Sequence, residues 1–248
     1  MIDIKNLHIK IGDKKILNGV NLSLQKGKIH VLMGINGSGK STLTKAIAGH
    51  FEIEVLDGEI LYKGKNLLDL RAEERALEGV FLSFQNPTEI AGVNNAYFLR
   101  AALNAKEKHQ GKKETNAAEF LKLMRAHIEQ LGMSQDMIAR SLNDGFSGGE
   151  KKRNEILQME ILQPDLILLD EIDSGLDIDA LRSVAEGINR MKNEERTFLI
   201  ITHYRRILDY IAPDFIHILQ DGRIVKTGGL ELVDTLESEG YEGIKKDI

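Results

Sequence analysis

Cysteine is absent from the 248 residues. That excludes disulfides, a thiolate-held metal and a cysteine nucleophile. It also suits a reducing compartment, so a cytoplasmic location is expected. Long apolar runs are missing too. The longest are short, as in Leu166-Ile167-Leu168-Leu169 and Phe198-Leu199-Ile200-Ile201, far below the roughly 18 residues of a membrane span. Direct membrane insertion is therefore not expected, and any membrane role would need a partner. Met1 to Lys5 carries no basic segment followed by an apolar one, so no secretion signal is expected. Excess positive charge is the third absence. Lys and Arg number 33 against 38 Asp and Glu, a net charge of -5, which gives the chain no global attraction to nucleic acid. What remains, 42% hydrophobic and 29% charged, fits a globular chain with a sizeable core.

Periodicity divides the chain. Ile2, Ile4 and Ile9 alternate with Asp3, Lys5, His8 and Lys10, which predicts half-buried strands with a turn at Gly12-Asp13. Ile29 to Met33 reads as a buried strand. After Lys40 the period becomes helical, with Leu43, Ala46 and Ile47 on one face and Gly49 as terminator. Strand patterns return at Leu166 to Leu169, Thr197 to Thr202, Phe215 to Leu219 and Arg223 to Val225, with Asp221-Gly222 as a hairpin turn. Leu181, Val184, Ala185 and Ile188 form a helical stripe between them. Alternating strand and helix predicts a mainly parallel sheet with helices on its faces. The middle, from about Asn86 to Gln163, reads as a helical insertion. Within it Lys106 to Thr115 is too polar to bury and is expected to be a loop. No internal repeat or low-complexity tract is present.

Gly34-Ile35-Asn36-Gly37-Ser38-Gly39-Lys40-Ser41, followed by Thr42, fits G-x-x-x-x-G-K-[ST] between a strand and a helix. Glycines allow successive N–H groups to turn inward toward phosphate oxygens, and the helix N-terminus adds partial positive charge. Lys40 is expected to reach the β- and γ-phosphates, and the Ser41 hydroxyl to ligate Mg²⁺. The spacing is not the G-x-G-x-x-G of a dinucleotide site. Leu166 to Leu169 runs into Asp170-Glu171. Carboxylates at a strand's carboxyl end face the ligand crevice of an open α/β sheet, so Asp170 is expected to hold the metal shell and Glu171 to polarise water. Ser147-Gly148-Gly149-Glu150 opens a helix as a capping box, and its two glycines leave bare N–H groups, a second place for an anion. One ATP in one subunit does not need two such loops.

Here the chain resembles the ATP-binding cassette (ABC) ATPases. Phe146 to Glu150 looks like that family's signature loop, and the family's motifs come in order. The resemblance implies that Gln85 is the Q-loop glutamine, a ligand to Mg²⁺ and water. Likewise it makes Ser174 to Asp177 the D-loop and His203 the switch histidine at the γ-phosphate. It also implies a transient ATP-dependent homodimer, in which each ATP lies between one subunit's phosphate loop and the other's Ser147 to Glu150. The implied fold has a mainly parallel P-loop core sheet, an N-terminal antiparallel β part and an inserted helical subdomain. A single domain over 1–248 is thus expected, with 1–85 and 164–248 catalytic and 86–163 helical. Longer stretches, 145–159, 173–181 and 202–210, are similar to the branch serving iron–sulfur cluster assembly, which implies scaffold partners of the SufB and SufD type. Two other readings stay open: a transporter's ATPase subunit, and a module that binds ATP without turnover.

Departures from the family pattern add expectations. Ile11 stands where an aromatic residue usually covers adenine, so base selectivity is expected to be weak. Ile172-Asp173 replaces the usual Pro-Thr and adds a third carboxylate. Lys151 or Lys152 is expected to pair with Glu171 at rest, keeping it from its water. Asn86 to Val93 is expected to carry the partner surface.

Overall fold

The computed structural model describes residues 1–244; the last four residues of the 1–248 assignment lie outside it. Three sheets organise the described residues. The first is antiparallel, with β2 (Lys14–Leu24), β1 (Ile2–Ile11), β4 (Glu54–Tyr62) and β5 (Lys65–Asn66) in that order. The second runs β12 (Arg223–Gly228), β11 (Phe215–Gln220), β3 (Ile29–Met33), β10 (Thr197–Ile201), β9 (Leu166–Asp170) and β6 (Val80–Ser83). All of its neighbours are parallel except the β11–β12 hairpin. Asp221 and Gly222 make that turn with φ of 48° and 73°, the paired left-handed geometry that matches strand twist. The third sheet is a small pair, β7 (Ile90–Asn94) with β8 (Ser141–Leu142).

The parallel strands are buried on both faces, as continuous apolar runs require. Alternation sorts their side chains. Leu32, Leu166, Leu168, Leu199 and Ile201 meet the antiparallel sheet and helix α1 (Lys40–Ala48). Val31, Met33, Ile167, Leu169 and Ile200 point the other way, onto α5 (Gly148–Leu162) and α6 (Ile178–Met191). The stripe of Leu181, Val184, Ala185 and Ile188 is fully buried there. Gly49 closes α1 in the left-handed conformation. From the short helix α2 (Ala72–Leu77), Arg75 donates to the carbonyls of Ala46 and Ile47 at 2.7 and 3.1 Å, satisfying groups that a helix end leaves open.

The middle of the chain supplies α3 (Asn95–His109) and α4 (Ala117–Gln130), with β7, β8 and α5. Phe120, Met124 and Ile128 of α4 join the same core as one face of the six-stranded sheet. The expectation of a loop from Lys106 is corrected: α3 continues to His109. Lys106 lays its stem over the protein and donates to the carbonyls of Leu162 and Gln163 at 2.7 and 2.6 Å. A long cationic side chain can cover an apolar surface while its head caps another helix, so polarity alone misplaced the helix end. The chain closes with a short helix α7 (Arg205–Leu208) and α8 (Glu231–Ile244), the latter kinked at Gly240. Among the described residues no helix is long and apolar enough to cross a membrane.

Candidate active site

Four neighbouring parallel strands deliver the site from their carboxyl ends. Met33 of β3 leads into the glycine loop, Ser83 of β6 to Gln85, Asp170 of β9 to Glu171, and Ile201 of β10 to His203. An open cleft of about 640 Å³ gathers them, lined by Asn36, Gly37, Gly39, Lys40, Ser41, Thr42, Gln85, Glu171 and His203. Ligand crevices of α/β sheets form at such strand ends.

The glycine loop has little room. A Cβ on Gly34 would lie 2.2 Å from the Leu219 carbonyl, and Gly39 has φ of 108° with Leu17 2.6 Å from where a Cβ would sit. Only glycine serves at both positions. The Ser38 hydroxyl is buried and has no hydrogen-bond partner. Lys40 donates to the carbonyls of Gly34 and Ile35 at 2.9 and 3.1 Å, and burial pulls its ammonium below the ordinary lysine range, against the nearby Glu171 and Asp170 charges. An anion in the loop would meet the orphaned hydroxyl, the ammonium and the start of α1 together. The residues present therefore fit phosphate.

Ser41 donates to Asp170 Oδ1 at 3.1 Å. Burial raises the Asp170 carboxyl, and the Ser41 hydroxyl opposes the rise. A hydroxyl and a carboxylate in contact at the rim of a phosphate cradle are the hard oxygen donors that Mg²⁺ takes.

Glu171 sits just past β9 with φ of 49°, a left-handed backbone that costs a non-glycine residue on the order of 1 kcal/mol or more. Both its oxygens are engaged. Gln85 Nε2 donates to Oε2 at 2.6 Å, and His203 Nε2 stands 3.1 Å from Oε1. The pairing with Lys151 or Lys152 is not what the structure shows. Lys151 bonds Glu89 at 2.5 Å. Lys152 is buried and donates to the carbonyls of Phe84 and Gln85, at 3.1 and 3.2 Å, and to Glu155. Both lysines hold the segment around Gln85 to α5, and burial raises the Glu155 carboxyl beside Lys152. Sequence spacing put cations near Glu171 but could not show that Gln85 lies between. Nor does Ile11 line the cleft; Lys14, Ile16 and Tyr204 do. Ile11 ends β1, whereas Lys14 and Ile16 lie past the turn, at the start of β2.

Ser147, Gly148, Gly149 and Glu150 are not among the residues lining this cleft. The capping box is formed: Ser147 Oγ accepts from the Glu150 N–H at 3.2 Å, and Glu150 accepts from the Ser147 N–H at 2.7 Å. That second bond holds the Glu150 carboxyl below its ordinary range. A Cβ on Gly148 would meet nothing within 4 Å, so this helix start faces open space. Asp173, read as a third carboxylate near the pair, is buried and turned to Thr202. Sequence reasoning had no signal for that bond.

The ABC transporter family matches residues 17–174. The chain is 52% identical over 241 residues to the probable ATP-dependent transporter SufC of Escherichia coli, covering 97% of each chain. It is 53% identical to the probable ATP-dependent transporter ycf16 of Cyanophora paradoxa, covering 99% of this chain and 95% of the relative. Its fold is similar to the dimeric post-hydrolysis structure of the ATP-binding cassette MJ0796 bound to ADP and Pi, with a TM-score of 0.79 at 21% identity over 93% of this chain and 99% of that one. The chain belongs to the ABC ATPase family.

Proposed function

We propose that this ABC ATPase uses ATP binding to close a homodimer and so drives iron–sulfur cluster assembly on a scaffold of the SufB–SufD type. One observation carries the shared site. The glycine loop, Gln85, Glu171 and His203 line one cleft, with Asp170 bonded to Ser41 of that lining, while Ser147 to Glu150 of the same chain lie outside it and Gly148 faces open space. A second copy, related head to tail, supplies the missing loop. The likeness to a relative named SufC supports the cluster-assembly part.

In this reading Lys40 leaves the loop carbonyls for the β- and γ-phosphates, and Ser38 and the loop N–H groups receive phosphate oxygens. Ser41, Asp170 and Gln85 would hold Mg²⁺, which would neutralise charge on the phosphates. Glu171 exchanges the Gln85 amide for the attacking water and orients it in line. His203 keeps its contact with Glu171 and faces the γ-phosphate, and the opposing Ser147 to Glu150 offers N–H groups to developing charge. Residues 86–163 move as the helical part, and Asn86 to Val93, next to Gln85, form the partner surface. The protein then works in the cytoplasm and enters the membrane at no point itself.

The test is Glu171→Gln under saturating Mg·ATP. It should keep nucleotide, release phosphate at least about 100-fold more slowly, sediment as a dimer and capture a soluble scaffold from the native cell. A monomeric, nucleotide-free variant would defeat the mechanism. Relatives carrying the word transporter in their names support a second reading; capture of a multispan membrane protein instead of a scaffold would select it.

A further inference from the structure

Beyond Asp170 and Ile201 the β9–β10 ladder has one last backbone bond, from Glu171 N–H to the Ile201 carbonyl at 3.0 Å. The next link is made by side chains. Thr202 Oγ1 donates to Asp173 Oδ2 at 2.7 Å. The same hydroxyl oxygen accepts from the Tyr204 N–H at 2.9 Å. His203 lies between those two residues, so its backbone is gripped on both sides by one hydroxyl, and that hydroxyl is aimed by Asp173. The His203 ring returns to Glu171 at 3.1 Å. Glu171, Asp173, Thr202 and His203 thus form a closed ring across two strand ends.

The ring has an expensive member. Asp173 is 1% exposed, and its Oδ1 has no hydrogen-bond partner. Burial pushes this carboxyl up, against the Thr202 hydroxyl, its own N–H and the Arg206 charge, so keeping it ionised there costs the fold. An alternative for the hydroxyl is also at hand, since the Tyr204 carbonyl lies 3.2 Å from Thr202 Oγ1. Without Asp173 the hydroxyl proton would turn to that carbonyl and pull the His203 segment into a different turn.

We propose that Asp173 is a positioning residue for hydrolysis, which acts through Thr202 to hold the His203 ring against Glu171. This inference rests on the ATPase reading above. It predicts a pattern that a merely structural residue does not give. Asp173→Val removes a buried, half-satisfied carboxylate, so the melting temperature should hold or rise, while kcat falls by about tenfold or more with KM for ATP within about threefold. Thr202→Val, which also removes the acceptor for the Tyr204 N–H, should lose at least as much. The double variant should lose no more than Thr202→Val alone, because that variant already breaks the Asp173 bond. Asp173→Asn keeps an acceptor oxygen and should restore most of kcat.

The decisive experiment adds a readout independent of turnover. The full chain, with ¹⁵N-labelled histidine, is titrated by NMR in wild type, Asp173→Val and Asp173→Asn. The His203 ring signals and their titration midpoint should move in the valine variant and return in the asparagine one. Unmoved ring signals in Asp173→Val overturn the proposal whatever the kinetics show. So do additive losses in the double variant, or a kcat loss that only follows a fall in melting temperature. Absence of turnover in the wild type would instead count against the ATPase reading, and the ring signals would still decide this one.

Discussion

Two buried histidines give a residue-scale prediction far from the cleft. His30 on β3 and His217 on β11 share a 2.9 Å hydrogen bond, and His217 continues to the Thr227 hydroxyl at 2.9 Å. Burial pushes His30 down to about 3, with His217 adding to the effect, and burial alone pushes His217 down to about 4. Both stay neutral in the fold and charge only when it opens, near the ordinary value of 6.5. Their contribution is therefore complete above about pH 6.5 and is lost as the pH falls toward 4. At pH 5.5, one unit below that value, the loss should be about 2–3 kcal/mol for the pair. Urea midpoints at pH 7.5 and 5.5 check it, and His217→Gln should flatten the difference. A midpoint equally pH-dependent in that variant counts against the pair. Neither histidine drew notice in the sequence, because a strand histidine looks the same whether it is a core relay or a surface residue. That Lys40, Ser41, Asp170 and Glu171 come together was legible because phosphate chemistry, which the sequence reading assumed, dictates both residue type and spacing. Asp173 was legible as a carboxylate, but its partner Thr202 comes from another strand.

At the scale of elements, the start of α5 is tied to the Gln85 segment by two lysines of unequal weight. Lys152 and Glu155 are buried together, at 6% and 5% side-chain exposure. Removing one ion of a buried pair strands the other. Lys152→Ala should therefore cost about 3 kcal/mol and lower turnover, because the carbonyls of Phe84 and Gln85 lose their donor. The Lys151–Glu89 pair is half open to solvent, and Lys151→Ala should cost less than about 1 kcal/mol. Chemical denaturation of both variants checks the contrast. Higher basal turnover in Lys152→Ala would revive the restraint on Glu171 that the sequence suggested. Most elements could be read from period: the buried strands, the stripe on α6 and the capping box of α5 follow from local pattern. Lys106 to His109 could not, since the contact of Lys106 with carbonyls at the far end of α5 leaves no local pattern. The β7–β8 pair escaped for a similar reason, as its two strands are short and about fifty residues apart.

For the whole molecule, the parallel sheet with its antiparallel companion was legible from strand–helix alternation and from the family resemblance. The proposed sharing of the site can be read from the sequence only in part, because one chain contains both loops whether or not they face each other. That outward-facing Ser147 loop has a genetic consequence. In a closed pair, each composite centre would draw its phosphate grip from one allele and its second loop from the other. Lys40→Ala and Ser147→Arg should each be inactive alone. Mixed together, about half the pairs would be heterozygous, and each of these would carry one centre with both defects and one with none. Roughly a quarter of the wild-type rate should then return if the centres fire independently. Co-expression in a strain lacking the chromosomal copy, scored by phosphate release from the purified mixture, checks this. In such a system loss-of-function alleles complement one another within a single gene, while an allele trapped in the closed pair, such as Glu171→Gln, would be dominant over the wild type.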